Sequence, residues 1–182
     1  MKKRILSITT FVLCIFLIGC ISEQLNDKEK RIVGKWYFGQ TDNLEEEEES
    51  LTFDLTCEYH SNKTTTTSGI WRFNYDIEND DYANTIILEY KVSSKGTWSV
   101  EGDYLVEKYN VFNIDFNNAS TIAENKHNNV YIESLKQNIA NIIPEMRNDM
   151  LKKSRDKIIK LTDDEMTLRD DEGTEITVTR VE

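Results

Sequence analysis

Proline is almost absent from this chain, with one in 182 residues, and glycine is scarce at seven. A collagen-like repeat or a Pro- and Gly-rich low-complexity chain is thereby excluded. Three cysteines are too few for a disulfide scaffold. Basic residues are outnumbered, 22 against 33 acidic, for a formal net charge of −11. The chain therefore lacks the basic footprint that neutralises phosphates, which argues against nucleic acid as a partner. The two histidines, His60 and His127, have no second ligand at metal spacing. Neither a G-x-S-x-G elbow nor an H-E-x-x-H helix occurs. What is present points to a packed domain. Hydrophobic residues make up 38% and aromatics 10%, the content a disordered chain lacks, and the length suits one domain.

The N-terminus reads as an address. Met1-Lys2-Lys3-Arg4 is basic, and Ile5 to Ile18 is a mostly apolar run of fourteen residues. A membrane span needs about 20 residues, whereas this is the length of a signal-peptide core. Leu17-Ile18-Gly19-Cys20 follows and resembles a bacterial lipobox. That resemblance implies that residues 1–19 are a cleaved leader. It also implies that Cys20 carries diacylglycerol on its sulfur and an acyl group on its amine, so that the chain meets the membrane through a lipid anchor. Residue 21 is Ile rather than Asp, which by the same resemblance favours the outer membrane of a bacterial envelope. Several acyl chains hold a protein stably where one holds it marginally. Cleavage removes three basic residues and leaves a charge of −14, so an anionic lipid surface would repel the domain and leave the holding to the anchor. Residues 20–32 read as the acylated Cys and a polar tether, with the domain at 33–182. Cys57 is then without a partner and reads as a small buried apolar residue.

The domain reads as strands. Leu51, Phe53, Leu55, Cys57 and Tyr59 alternate with Thr52, Asp54, Thr56, Glu58 and His60, the period of a half-buried strand. Trp71, Phe73 and Tyr75 repeat the pattern, as do Ile86, Leu88, Tyr90 and Val92. Turn residues separate the runs at Ser61-Asn62-Lys63, Glu78 to Asp81, Lys95-Gly96, Gly102-Asp103, Thr162-Asp163-Asp164 and Asp171-Glu172-Gly173. About nine strands in hairpin order result, and one-sided alternation argues for antiparallel pairing. One segment differs. Ile132, Leu135, Ile139, Ile142, Ile143, Met146 and Met150 recur at steps of three and four, the mark of an amphipathic helix inserted near 130–155. Pro144 is expected to kink or divide it. The Asn-rich stretch 117–129 ahead of it reads as a loop.

Several motifs now fall into one order: Gly34-Lys35-Trp36; Gly96-Thr97-Trp98 with Gly102-Asp103-Tyr104-Leu105; Ile158 to Leu168; and Arg180 near the end. As a set they resemble the bacterial lipocalin-like lipoproteins. The resemblance covers about residues 33–181 and implies an all-β, antiparallel, up-and-down barrel of eight to ten strands, with the helix as an insertion. It also implies that Trp36 sits at the closed end with Arg180 over its ring, a structural cation–π contact. Arg180 shares parity with Ile176 and Val178. A barrel of this size is filled by side chains or holds one small ligand. The aromatics Phe53, Trp71, Phe73, Tyr90 and Trp98 either line a pocket or fill the core.

Two functions follow. The first is a lipid-anchored binding module for a small apolar ligand. The second is an envelope protein-interaction module, an inhibitor, immunity or assembly accessory, that captures a basic protein through its acidic surface; Glu45 to Glu49 is its clearest feature. Cys57 and His60 lie on opposite strand faces, no nucleophile–base arrangement emerges, and neither an enzyme nor a cofactor is expected. The helix separates the functions. On the barrel wall it is structural, over the mouth it is a lid, and an exposed apolar stripe is a partner site.

Overall fold

Strict alternation dictates a sheet with one apolar face, and the remedy for that face is closure. The structure, a computed structural model, describes residues 24–43, 49–79, 82–122 and 128–182. Residues 1–19, expected to be a leader, and Cys20, His127 and most of the Glu45–Glu49 run lie outside the described residues. The described elements are α1 (Asp27–Ile32), β1 (Gly34–Asn43), β2 (Glu49–Tyr59), β3 (Thr64–Asn79), β4 (Tyr82–Glu101), β5 (Tyr104–Thr121), α2 (Asn128–Met150), β6 (Lys153–Leu161), β7 (Glu165–Arg169) and β8 (Glu175–Val181). Each strand pairs antiparallel with the next and β8 returns to β1, giving a closed up-and-down barrel of eight strands. The antiparallel pairing expected from the alternation is present, the fold is the all-β barrel that the resemblance implied, and closure removes the edges that would otherwise pair with other chains.

The ring is uneven. β3 and β4 pair from Thr64↔Thr97 to Asn79↔Tyr82, whereas β5 and β6 pair only over Tyr104–Lys108. β1 and β8 share three pairs, Lys35↔Val181 to Tyr37↔Thr179. Above these short seams, α2 takes the place of strands. Ile139 is fully buried among the inward-facing residues of β2–β5, with Ile132, Leu135, Ile143, Met146 and Met150 packed partly buried around it. Each fully buried side chain of this kind contributes roughly 1.5–3 kcal/mol. The helix is therefore built into the mouth of the barrel rather than laid on its outer wall.

Five expectations change. The Asn-rich stretch is strand as far as Thr121, because ladder bonds are made by backbone and its partners across the seam are Ile86 to Glu89 of β4. Lys95-Gly96 is not a turn but a register shift inside β4. A Cβ at Gly96 would overlap the Lys108 carbonyl oxygen and lie 2.8 Å from Tyr109 Cα, so glycine lets β5 approach closely. α2 runs unbroken through Pro144 and ends at Met150; packing of both halves on one core outweighs the lost backbone bond. Of the two adjacent isoleucines in the expected apolar stripe, Ile143 packs on the core as expected, while Ile142 does not and is 46% exposed. Finally, the tether gives way to α1 at Asp27. Asn26 and Glu29 form a capping box, with Glu29 N donating to Asn26 Oδ1 at 3.0 Å and Asn26 N to Glu29 Oε2 at 2.9 Å. The Asn-x-x-Glu spacing at 26–29 was the available signal. Ile32, at its end, is fully buried in the barrel floor.

The interior separates into two cores. The upper one includes Leu51, Phe73, Tyr75, Leu88, Tyr90 and Ile139. The lower one includes Ile32, Trp36, Tyr59, Trp98, Leu105 and Met166.

Candidate functional site

Between the two cores the inward positions turn polar. Along β5 the face that carries Leu105 continues with Glu107 and Tyr109 before returning to Phe112 and Ile114. Opposite stand Cys57 and Tyr59 of β2, Thr67 of β3 and Ser94 of β4. These side chains surround a cavity of about 300 Å³, the lower end of the range for small-molecule sites. Its apolar walls include Phe38, Leu55, Trp71, Val92, Phe112 and Val178. Its mouth lies where α2 runs into β6, beside Asp149, Lys152, Ser154, Asp156 and Asp170.

Glu107 is the chemical centre. Tyr109 donates its hydroxyl to Glu107 Oε1 at 2.9 Å, and Tyr59 bonds the same carboxyl group. Burial pushes Glu107 up to about 7. The two tyrosine hydroxyls pull it part of the way back, and the charge of Asp156 adds to the rise. Both tyrosines are held well above their usual range, first by burial and then by the charge of Glu107. Cys57 accepts from Thr67 Oγ1 at 3.4 Å. Burial and then Glu107 push its thiol up to about 12, and Cys57 lines the cavity. A thiol so held is not a nucleophile at neutral pH. At the mouth, burial followed by the charges of Asp170 and Asp171 raises Asp156. Trp71, 4% exposed, has an indole N–H with no hydrogen-bond partner among the described residues. Among those residues no three His, Cys, Asp or Glu side chains converge as metal ligands, and no helix is long and apolar enough to cross a membrane.

The residues singled out in the sequence divide between this cavity and its supports. Trp71 lines the cavity. Phe53 meets its ring edge-on at 5.4 Å, and Phe73 and Tyr90 stack edge-on at 5.6 Å; these three fill the upper core. Trp98 packs against Tyr59 in the lower core at 5.6 Å and donates Nε1 to His60 O at 3.1 Å. Trp36 and Arg180 meet in the floor. The guanidinium carbon lies 4.2 Å from the indole centroid, and Trp36 Nε1 donates to Ile32 O at 2.7 Å. Arg180 also donates to the carbonyls of Val33, at 2.9 Å, of Arg31 and of Asp163. It leaves no space for a side chain at residue 34: Gly34 has φ +135°, and a Cβ there would overlap Arg180 Nη1. Gly, Trp and Arg thus form one latch.

Glu107, Tyr109 and Thr67 were not singled out. The available signal was parity, since Glu107 sits two residues from Leu105 on a strand whose inward face also carries Phe112 and Ile114.

No family model matches the chain, and no curated protein matches it. Among solved structures it is similar to the crystal structure of an uncharacterized protein from Bacteroides eggerthii DSM 20697. The two are 12% identical, the match covers 82% of this chain and 99% of that one, and the TM-score is 0.42.

Proposed function

We propose that this chain is a lipid-anchored envelope protein whose barrel binds one small, largely apolar molecule. The observation that carries the binding is the cavity between the two cores, walled by Leu55, Trp71, Val92 and Phe112 and reached beside the end of α2. A concave, largely apolar space with a few convergent polar groups is the usual form of a small-molecule site. The anchor rests on the basic start, the apolar run and Cys20 in a lipobox, as resemblance to the bacterial lipocalin-like lipoproteins implies; the same resemblance favours the outer membrane. Only six residues separate Cys20 from Asp27. At no more than about 3.6 Å per residue, the barrel floor would stand close to the lipid.

The three tryptophans provide the test. Trp36 and Trp98 have bonded indole N–H groups in the lower core, while that of Trp71, at the cavity, has no partner among the described residues. Titration of the ¹⁵N-labelled protein with octan-1-ol should shift the Trp71 indole crosspeak saturably and leave the other two in place. An unmoved Trp71, or equal movement of all three, would speak against an internal site.

A further inference from the structure

We infer that the molecule the cavity takes is a small amphipathic amine, its cationic nitrogen held at the Glu107 carboxylate and its apolar body lying against Trp71, Phe112 and Val92. This deepens the ligand-binding reading and rests on it. Four carboxylates line the cavity and its mouth, those of Glu107, Asp149, Asp156 and Asp170. The single ammonium there, Lys152, is bound to Asp149 at 2.6 Å. Among the described residues no cation reaches Glu107; its partners are the hydroxyls of Tyr109 and Tyr59.

A carboxylate kept away from water and without a counter-ion is costly. It sits here at the wall of a space large enough for a guest. Such a group is matched by a guest that brings the missing positive charge, and a charge-assisted N–H to carboxylate bond is roughly twice as strong as a neutral one. Anionic guests are disfavoured by the same groups, since they would pass Asp156 and Asp170 to reach a like charge.

A pH signature follows. Glu107, at about 7 in the empty cavity, must be ionised to hold an ammonium. The groups that face the site are Tyr109 on β5, Cys57 and Tyr59 on β2, Asp156 on β6, Asp170 beyond β7, and Asp149 and Lys152 at the end of α2. Cys57 and the two tyrosines stay protonated through neutral pH. From pH 6 to pH 8 the ionised fraction of Glu107, and with it the affinity for an amine, should rise about tenfold.

Calorimetric titration of the purified protein with octylamine, octan-1-ol and octanoate compares three heads on one body. At pH 8 octylamine should bind about tenfold or more tighter than octan-1-ol, and octanoate weakest. Glu107→Gln should bring octylamine down to the level of octan-1-ol. If that variant does not fold, the pH profile of the unaltered protein decides: a rise for octylamine alone supports the assignment. Octan-1-ol or octanoate binding as tightly as octylamine, or a flat profile, overturns it and leaves the ligand-binding reading standing. Failure of all three to bind overturns both.

Discussion

Replacing Arg180 with Ala should lower the free energy of unfolding by about 2–4 kcal/mol, a range set by lost bonds to charged donors and the lost cation–π contact. Three carbonyls, those of Arg31, Val33 and Asp163, lose a guanidinium donor at once. Trp36 loses the cation over its ring. The loss falls on the shortest seam of the barrel, where β1 and β8 share three residue pairs. An Arg180→Lys variant keeps a cation, but the three carbonyls are met by Nε, Nη1 and Nη2 separately and a single ammonium nitrogen cannot span that fork; it should lie between the two. Urea unfolding followed by near-ultraviolet circular dichroism measures this. A midpoint unchanged in Arg180→Ala would show that the seam holds without the latch.

The second large effect is on pH dependence. Glu107 has a folded pKa of about 7 against an ordinary value of 4.5. The folded state therefore keeps a proton that the unfolded chain releases, and stability falls as pH rises between those values. Below 4.5 both states are protonated and the group contributes nothing. Above 7 both are ionised and the penalty is constant. At 1.36 kcal/mol per pKa unit the loss between pH 4 and pH 8 is on the order of 3 kcal/mol. Glu107→Gln keeps an acceptor for Tyr109 and removes the titration, so the difference in stability between wild type and variant should change by about that amount across the window. Glu29 and Asp103 act with the opposite sign. Lys63 and the Asn26 backbone hold Glu29 low against its burial, and Lys28 holds Asp103 low. Their contribution is present at neutral pH and lost as pH falls through their depressed values, below the Glu107 window. A wild-type-minus-variant difference that stays flat from pH 4 to pH 8 would place the Glu107 carboxyl in water.

The parts of the fold that follow from one physical rule were legible in the sequence. Alternation at 51–60, 71–75 and 86–92 names the inward residues directly, because side chains of a strand change face at every step. Features that depend on a partner were not. Gly96 carries the same signal whether the chain turns there or another strand crosses close by, and only the position of Lys108 distinguishes the two. The Asn-rich end of β5 reads as a loop until Ile86 and Leu88 of β4 are set beside it. Ile142 and Ile143 are neighbours on a helix, and the core chooses between them. The latch of Gly34, Trp36 and Arg180 joins residues far apart in sequence, so it was reachable through resemblance rather than through spacing. The cavity was the least legible feature. Each aromatic expected to line or fill it is a sound core residue by parity, and Trp71 alone of the five borders the space. The decisive side chain was an acid on an inward face, and a single Glu among 33 acidic residues gives no signal until the strand on either side of it is known to point inward.

Native mass spectrometry of the protein purified from its own host tests most directly whether the cavity is occupied. The expected spectrum shows a reproducible excess of roughly 100–300 Da, the size of guest that such a cavity holds, lost on denaturation and carrying a basic nitrogen. A spectrum without such a guest, from cells grown under several conditions, would contradict the binding reading and leave the space between the two cores a packing void.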